Sequence, residues 1–247
     1  MRDHACDFVF PRPEESAALR RRFAHPVPLL IHGPAGAGKT FLVRARLPEF
    51  PSLLYCGDSA TLLAVLRSLA EQLCRAGAPR LQRACHGDFA ALRRKSAVSL
   101  KGLVVDTLRD GRYALVLDHV DRPAASFGSA VREFIGWANS PVIAIARSPH
   151  MEDLGSLHGL FPDRNDRFEI RNLPPAAALD FAKSAAEHYS LTADNLPDFV
   201  ARVAELSGGN PGAMLRMISM ARQDKYRRED AIKVTTLFID FRLSSGY

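Results

Sequence analysis

What this chain lacks narrows its class before any motif is read. No apolar run approaches the roughly 18–20 residues needed to cross a bilayer. The opening Met1-Arg2-Asp3-His4 is polar, and no apolar segment of secretory-signal type follows it. The expectation is a cytoplasmic protein that makes no use of a membrane. Cysteine is scarce and scattered: Cys6, Cys56, Cys74 and Cys85 form no C-x-x-C pair. They read as reduced thiols, and neither a disulfide framework nor a zinc site is expected. Cys85-His86 has metal-ligand chemistry but no further ligand at the right spacing. There is no internal repeat and no low-complexity tract. Acidic residues fall slightly short of basic ones, 27 against 33, which points mildly toward a polyanionic partner. What remains is an ordinary globular composition, 47% hydrophobic and 24% charged over 247 residues. That length supports one large core, or a core with a small satellite.

The most informative stretch runs from Val27 to Arg44. Inside it, Gly33-Pro34-Ala35-Gly36-Ala37-Gly38-Lys39-Thr40 satisfies G-x-x-x-x-G-K-[ST] at every fixed position. Leu29-Leu30-Ile31 before it reads as a short buried strand, and Phe41-Leu42-Val43 after it as the first turns of a helix. The residue types suit a triphosphate. Its oxygens need many backbone N–H donors at close range, and glycines at 33, 36 and 38 keep side chains out of the way. The helix start near Gly38 adds a positive dipole end. Lys39 is expected to reach the β- and γ-phosphates, and the Thr40 hydroxyl to ligate Mg²⁺. The expected nucleotide-binding set is Gly33 through Phe41.

Periodicity orders the rest of the chain. Residues 1–10 are expected to be loosely ordered. Pro13-Glu14-Glu15 opens a helix through Phe23, which His25-Pro26-Val27-Pro28 breaks. Ser52–Cys56 reads as a second strand. A helix follows through Leu62, Leu66, Leu69 and Leu73, ending at Gly77-Ala78-Pro79. Residues 80–95 are Arg-rich and weakly patterned, as a solvated face would be. A helix over Ser96–Leu108 ends at Asp110-Gly111. Tyr113–Asp118 and Pro141–Ala146 are continuous apolar runs, so they read as strands covered by helices on both faces of a parallel sheet. Arg167–Ile170 is a shorter strand candidate. This alternation predicts a doubly wound α/β domain over 1–172. Helical patterns at Pro174–Tyr189, Asn195–Leu206 and Pro211–Gln223 then predict a small helical lid over 173–225. In the remaining 226–247, Lys233–Leu243 is β-branched and aromatic, and reads as a final strand or a docking segment.

Asp118 ends a buried strand downstream of Lys39, the place of a carboxylate that holds Mg²⁺ opposite Thr40. His119 occupies the position where many ATPases of this shape place a glutamate base. Asp121 is the alternative group for polarising water or capping the next helix. Arg147 ends the strand Val142–Ala146. If that strand lies beside the loop strand, Arg147 faces the terminal phosphate. The turn Gly208-Gly209-Asn210-Pro211 suits close approach to a base, and Arg216, one turn further on, is within reach of phosphates. The expected catalytic set is Lys39, Asp118, His119, Asp121 and Arg147; the expected metal ligands are Thr40 and Asp118; Pro211 and Arg216 join the nucleotide set.

Together these residues resemble the AAA+ and STAND branch of P-loop ATPases, most of all its initiator-like, origin-recognition group. Gly33–Thr40 matches Walker A and Leu115–Asp121 matches Walker B. Arg147 looks like sensor 1, and Gly208–Pro211 looks like the lid motif placed near the base. The likeness covers about residues 8–225. It departs at Phe8–Glu15, where only Arg12 and the acids echo a Gly-Arg-Glu-Glu box, and at His119, which is nearer STAND usage. Residues 226–247 are too few for a winged-helix domain. The resemblance implies ATP and Mg²⁺ as cofactors, slow or partner-stimulated hydrolysis, and assembly as a homo-oligomer or hetero-complex with duplex DNA as a candidate partner. Arg132, Arg164 and Arg167 are candidates for acting in trans. Two alternatives stand beside it: an ATP/ADP-controlled switch that docks a separate effector and binds no DNA, and a metabolic phosphotransferase, which the lid argues against.

Overall fold

The computed structural model describes residues 12–85, 88–109 and 113–245. The expectations for residues 1–10, for His86 and for a helix end at Asp110-Gly111 lie outside these. Two compact units emerge. One is an α/β unit of Glu14–Gly33 and Lys39–Ile170. The other is a helical unit running from Arg171 onward, and it includes Arg12, Pro13 and the loop segment Pro34–Gly38.

The α/β unit carries a five-stranded parallel sheet. Its strands are β1 (Leu29–His32), β2 (Leu53–Cys56), β3 (Ala114–Leu117), β4 (Val142–Ala146) and β5 (Arg167–Glu169), in the spatial order β2-β3-β4-β1-β5. The continuous apolar runs do what their composition predicts: every residue of β3 and β4 is buried. Burying a side chain such as Leu115, Val116 or Ile143 contributes about 1.5–3 kcal/mol. The covering helices are α1 (Pro13–Ala24), α2 (Lys39–Arg46), α3 (Leu62–Arg75), α4 (Pro79–Cys85), α5 (Phe89–Arg93), α6 (Ala97–Leu108), α7 (Ala125–Gly136) and the single turn α8 (Met151–Leu154). Thr61 and Ser96 cap α3 and α6 by accepting bonds from Ala64 and Ser99 N–H. The weakly patterned stretch 80–95 holds part of α4 and all of α5. Only Leu81, Cys85 and Leu92 of these helices are buried, so the apolar signal was thin.

Strand order sets where the site lies. β4 pairs with β1 in register, Ala146 opposite His32, and β5 flanks β1 on its other side. The chain therefore crosses over β1 between β4 and β5. In an open parallel sheet such a crossing leaves a crevice at the carboxyl ends of the strands. The P-loop ATPase fold expected from the sequence, a helix-flanked parallel sheet followed by a helical part, is the fold observed.

The helical unit packs α9 (Pro175–His188), α10 (Leu196–Leu206), α11 (Pro211–Met220) and α12 (Val234–Ser245) around a core rich in small and flexible side chains, among them Ala178, Ala182, Ala185, Met214 and Met217. The short strands β6 (Arg227–Arg228) and β7 (Ala231–Ile232) form an antiparallel pair before α12. The strand expected in the tail is therefore a helix. Its β-branched residues favour extended backbone, but Leu237 and Phe241 stand one helical turn apart and both are buried in the unit's core. Tertiary packing of that stripe overrides local preference. Among the described residues, no helix is long and apolar enough to cross a membrane.

Candidate functional site

Within the α/β unit, β1 delivers the chain to Gly33, and α2 begins at Lys39. Gly33 N–H donates to the Arg147 carbonyl at 3.1 Å, which fixes the loop's entry to the end of β4. The Lys39 ammonium donates to the Gly33 carbonyl at 2.6 Å, so the side chain folds back across the mouth of its own loop. Burial lowers the Lys39 pKa; Arg147 pushes it the same way, and Asp118 opposes both. A half-buried cation in the field of a second cation and one carboxylate suits an incoming anion. Thr40 follows as the second residue of α2, half-buried.

Asp118 leaves the end of β3 and is 1% exposed. Burial of a carboxylate this deep requires donors, and it has them. The Tyr55 hydroxyl donates to Oδ2 at 2.6 Å, and the His119 N–H donates to Oδ1 at 2.8 Å. The bond to Asp118, after burial, raises the Tyr55 pKa well above the usual phenol value, so Tyr55 stays a neutral donor. Tyr55 is itself braced. β2 is a sheet edge, and the Gln72 amide of α3 accepts from Tyr55 N–H at 3.1 Å and donates to Tyr55 carbonyl at 2.9 Å. Composition alone did not single out Tyr55 or Gln72. The only signal was position, one strand over from Asp118 at the carboxyl end of the sheet.

His119 sits at φ 57°, left-handed backbone that a non-glycine residue adopts at a cost. Its ring is exposed, with Nδ1 3.5 Å from Asp118 Oδ1. Asp121 is exposed in the turn before α7. The Arg147 side chain is exposed at the end of β4. Just before the loop, His32 has its pKa lowered chiefly by burial; Glu169 opposes this, while Arg167, Lys39 and His150 add to it. Among the trans candidates, Arg167 donates from Nε and a terminal nitrogen to the Phe161 carbonyl at 3.0 and 2.9 Å, a local structural bond. Arg132 donates to the Ser156 carbonyl, and Arg164 is exposed.

Within the helical unit, the loop crown Pro34–Gly38 is gripped by neutral polar groups. Asn210 caps α11 through Oδ1, which accepts from Ala213 N–H at 3.0 Å. Its Nδ2 donates to the Ala35 carbonyl at 2.8 Å and to Asn172 Oδ1 at 3.1 Å. Gly212 N–H donates to the Gly36 carbonyl at 2.9 Å. Gly36 is required here twice over: its φ is +78°, and a Cβ would stand 2.5 Å from Asn210 Oδ1. Arg12, 3% exposed, donates to the carbonyls of Ala37 and Arg171. Pro211 is buried beside this turn as the first residue of α11. The Arg216 guanidinium lies over the Phe241 ring and donates to Ser244 Oγ at 2.9 Å, so in this structure it ties α11 to α12.

Among the described residues, no group of three or more His, Cys, Asp or Glu side chains is placed to hold a metal. The oxygen donors in the α/β unit, the Thr40 hydroxyl and the Asp118 carboxylate, are the hard type that suits Mg²⁺, an ion that keeps most of its waters and takes few protein ligands.

No family model and no curated protein matches the chain. Solved structures do match its fold. A Walker-type ATPase of Pyrococcus abyssi is 17% identical with a TM-score of 0.55, over 85% of this chain and 67% of that one. Cdc6p from Pyrobaculum aerophilum is 15% identical with a TM-score of 0.59, over 89% of this chain and 65% of that one. A signal transduction ATPase with numerous domains, a STAND protein with a tetratricopeptide repeat sensor from Pyrococcus horikoshii, is 18% identical with a TM-score of 0.51, over 96% of this chain but 33% of that one. The chain thus spans about two thirds or less of the length of these proteins. At such identities the likeness is one of fold, and the fold is that of Walker-type ATPases.

Proposed function

We propose that the chain is a regulatory ATPase of AAA+/STAND type that binds ATP with Mg²⁺ and hydrolyses it slowly or under stimulation by a partner. One observation carries the reading. A complete G-x-x-x-x-G-K-[ST] segment stands between β1 and α2, and its lysine lies within the electrostatic reach of a buried strand-end carboxylate, Asp118. On this reading the loop N–H groups and the α2 N-terminus hold the phosphate oxygens. Lys39 leaves the Gly33 carbonyl for the β- and γ-phosphates, a charge-assisted bond stronger than the neutral acceptor it gives up. Thr40 and Asp118 would hold Mg²⁺, which when bound neutralises phosphate charge. Tyr55, donating to Oδ2, keeps the Asp118 carboxylate aimed. Arg147, at the end of β4, senses the terminal phosphate.

Slow turnover follows from position 119. An imidazole on left-handed backbone, turned toward Asp118, is poorly aimed as a base for an attacking water. Action in a nucleic-acid-associated assembly rests on the net charge of +6. Residues 1–172, 173–225 and 226–247 are proposed as nucleotide core, lid and tail of this device.

The deciding experiment measures native mass and thermal stability with ATP, ADP and neither, with and without Mg²⁺ and duplex DNA. Nucleotide-dependent stabilisation is expected; at ligand 100-fold above Kd it amounts to about 2.7 kcal/mol. No stabilisation by any nucleotide would overturn the reading. ATP-dependent assembly on DNA that weakens steeply with salt supports the nucleic-acid role. Nucleotide binding without DNA binding, together with one captured protein partner, moves the reading to an effector-docking switch.

A further inference from the structure

The last turn of α3 carries chemistry that nucleotide binding does not use. α3 ends in a tight reversal: Ala78 N–H donates to the Leu73 carbonyl at 3.0 Å, and Gly77 N–H donates to the Cys74 carbonyl at 3.1 Å. Gly77 has the left-handed φ of +87° that this helix ending demands. Pro79 then starts α4 with its φ already set for a helix. The reversal folds α4 back along α3, burying Leu81 completely. Cys85, the last residue of α4, arrives against Cys74 with the two sulfurs 3.2 Å apart. Both thiols are free and buried, 5% and 3% exposed. The other described cysteine, Cys56 on β2, engages the Ser68 hydroxyl instead.

We propose that Cys74 and Cys85 are a site of oxidative modification, at which a two-electron oxidant of the peroxide class forms an intramolecular disulfide that staples α4 to α3. One sulfur, as thiolate, attacks a peroxide oxygen. An S–O bond forms, the O–O bond breaks, and a sulfenic acid and one water result. The second sulfur attacks the first: the S–S bond forms, the S–O bond breaks, and a second water leaves. In sum, two thiols lose two electrons and two protons, and hydrogen peroxide is reduced to two waters. Burial pushes the Cys74 thiol up to about 11, so in the closed arrangement Cys74 is a protonated, slow nucleophile. Reaction proceeds when α4 lifts. α4 is seven residues long, its Arg80, Gln82 and Arg83 are exposed, and a short helix of this kind opens readily. Once the bond forms it holds the helix end that carries Gln72, and hence the edge of β2.

The test uses the full chain, treated with hydrogen peroxide under native conditions, alkylated and digested with trypsin without reduction. The expected result is a monomer lighter by two hydrogens, with peptide 68–75 linked to peptide 84–93 and Cys56 recovered alkylated. Dithiothreitol should release the link, and oxidation in urea should scatter the pairing among all the cysteines. Cys56→Ser keeps the link; Cys74→Ser removes it and leaves Cys85 alkylated or singly oxidised. Recovery of both peptides unlinked, linkage to Cys6 or Cys56, or linkage between two chains would overturn the proposal, and the wild-type map decides it even if a variant fails to fold.

Discussion

Each unit holds its own part of the loop segment, and the two do so with different chemistry. In the α/β unit the groups that meet the loop ends are charged and stand at the carboxyl ends of strands: Lys39 after β1, Asp118 after β3, Arg147 after β4. In the helical unit the groups that grip the loop crown are mostly neutral amides, Asn210 and the Gly212 N–H, with Arg12 bonding to carbonyls. The first unit has a core mostly of Leu and Val against a sheet, and the second mixes Ala, Phe, Leu and Met between helices. A strand end in a sheet holds a charge more precisely than a loop does. A helix N-cap fixes a short amide side chain, and that suffices to shape a loop. The difference assigns charge to one unit and loop shape to the other.

Variants separate those two contributions. Lys39→Ala removes charge and leaves shape, so nucleotide affinity should fall by about 10–100-fold, the worth of a charge-assisted bond, with little change in the unliganded melting temperature. Retained affinity, read by nucleotide titration, would break the comparison. Asn210→Ala does the reverse. It removes a helix cap together with the bonds to Ala35 and Asn172, and should cost about 1–2 kcal/mol in urea unfolding. A neutral result would mean that the crown holds its shape unaided.

His119→Glu sharpens the charged side. Basal ATP turnover should rise about 10-fold, below the ~10²–10⁴ of a well-placed base, because the left-handed backbone limits the aim. An unchanged rate would mean that the base is not limiting. Tyr55→Phe leaves the Asp118 carboxylate with one donor fewer and should cost about 1 kcal/mol of stability. It should also weaken the Mg²⁺-dependent part of nucleotide binding while sparing the Mg²⁺-independent part. Equal loss in both would make Tyr55 a purely structural support.

The smallest effect is in pH. The His32 pKa in the folded chain lies below its unfolded value of about 6.5. Below that value the unfolded chain binds the extra proton and the folded chain resists it. Stability is therefore full above pH of about 6.5 and declines as pH falls toward the folded pKa. Urea midpoints from pH 8 to 5 should show the decline, and His32→Gln should flatten it.

Much of the α/β unit was readable from the chain alone. Tyr113–Asp118 and Pro141–Ala146 are short, largely apolar runs, the second rich in β-branched residues, as strands covered on both sides are. The loop was readable because its requirement is chemical: glycine where backbone must approach oxygen, then lysine and a hydroxyl. The tail was misread because residues 233–243 have the local preference of a strand, whereas the Leu237–Phe241 stripe matters only once a helical core is there to receive it. Asn210 was noticed for its turn and not for its amide, since nothing in Gly208-Gly209-Asn210-Pro211 names Ala35 as the acceptor. The sequence names Arg167 as a trans candidate and Arg216 as a phosphate candidate, but not the local partners that each has here, Phe161 for one and Ser244 with Phe241 for the other.

By itself the sequence determined the elements whose cause is local: the glycine-rich loop between β1 and α2, the buried strands, the helix starts at Pro13 and Ser96. Only the tertiary structure decided the pairings: that β4 lies against β1, that Tyr55 carries Asp118, and that Cys85 meets Cys74. The reason is one of range. Backbone preference and burial period act over a few residues, whereas a hydrogen bond between positions 63 apart in the chain exists only after the sheet has brought their strand ends together.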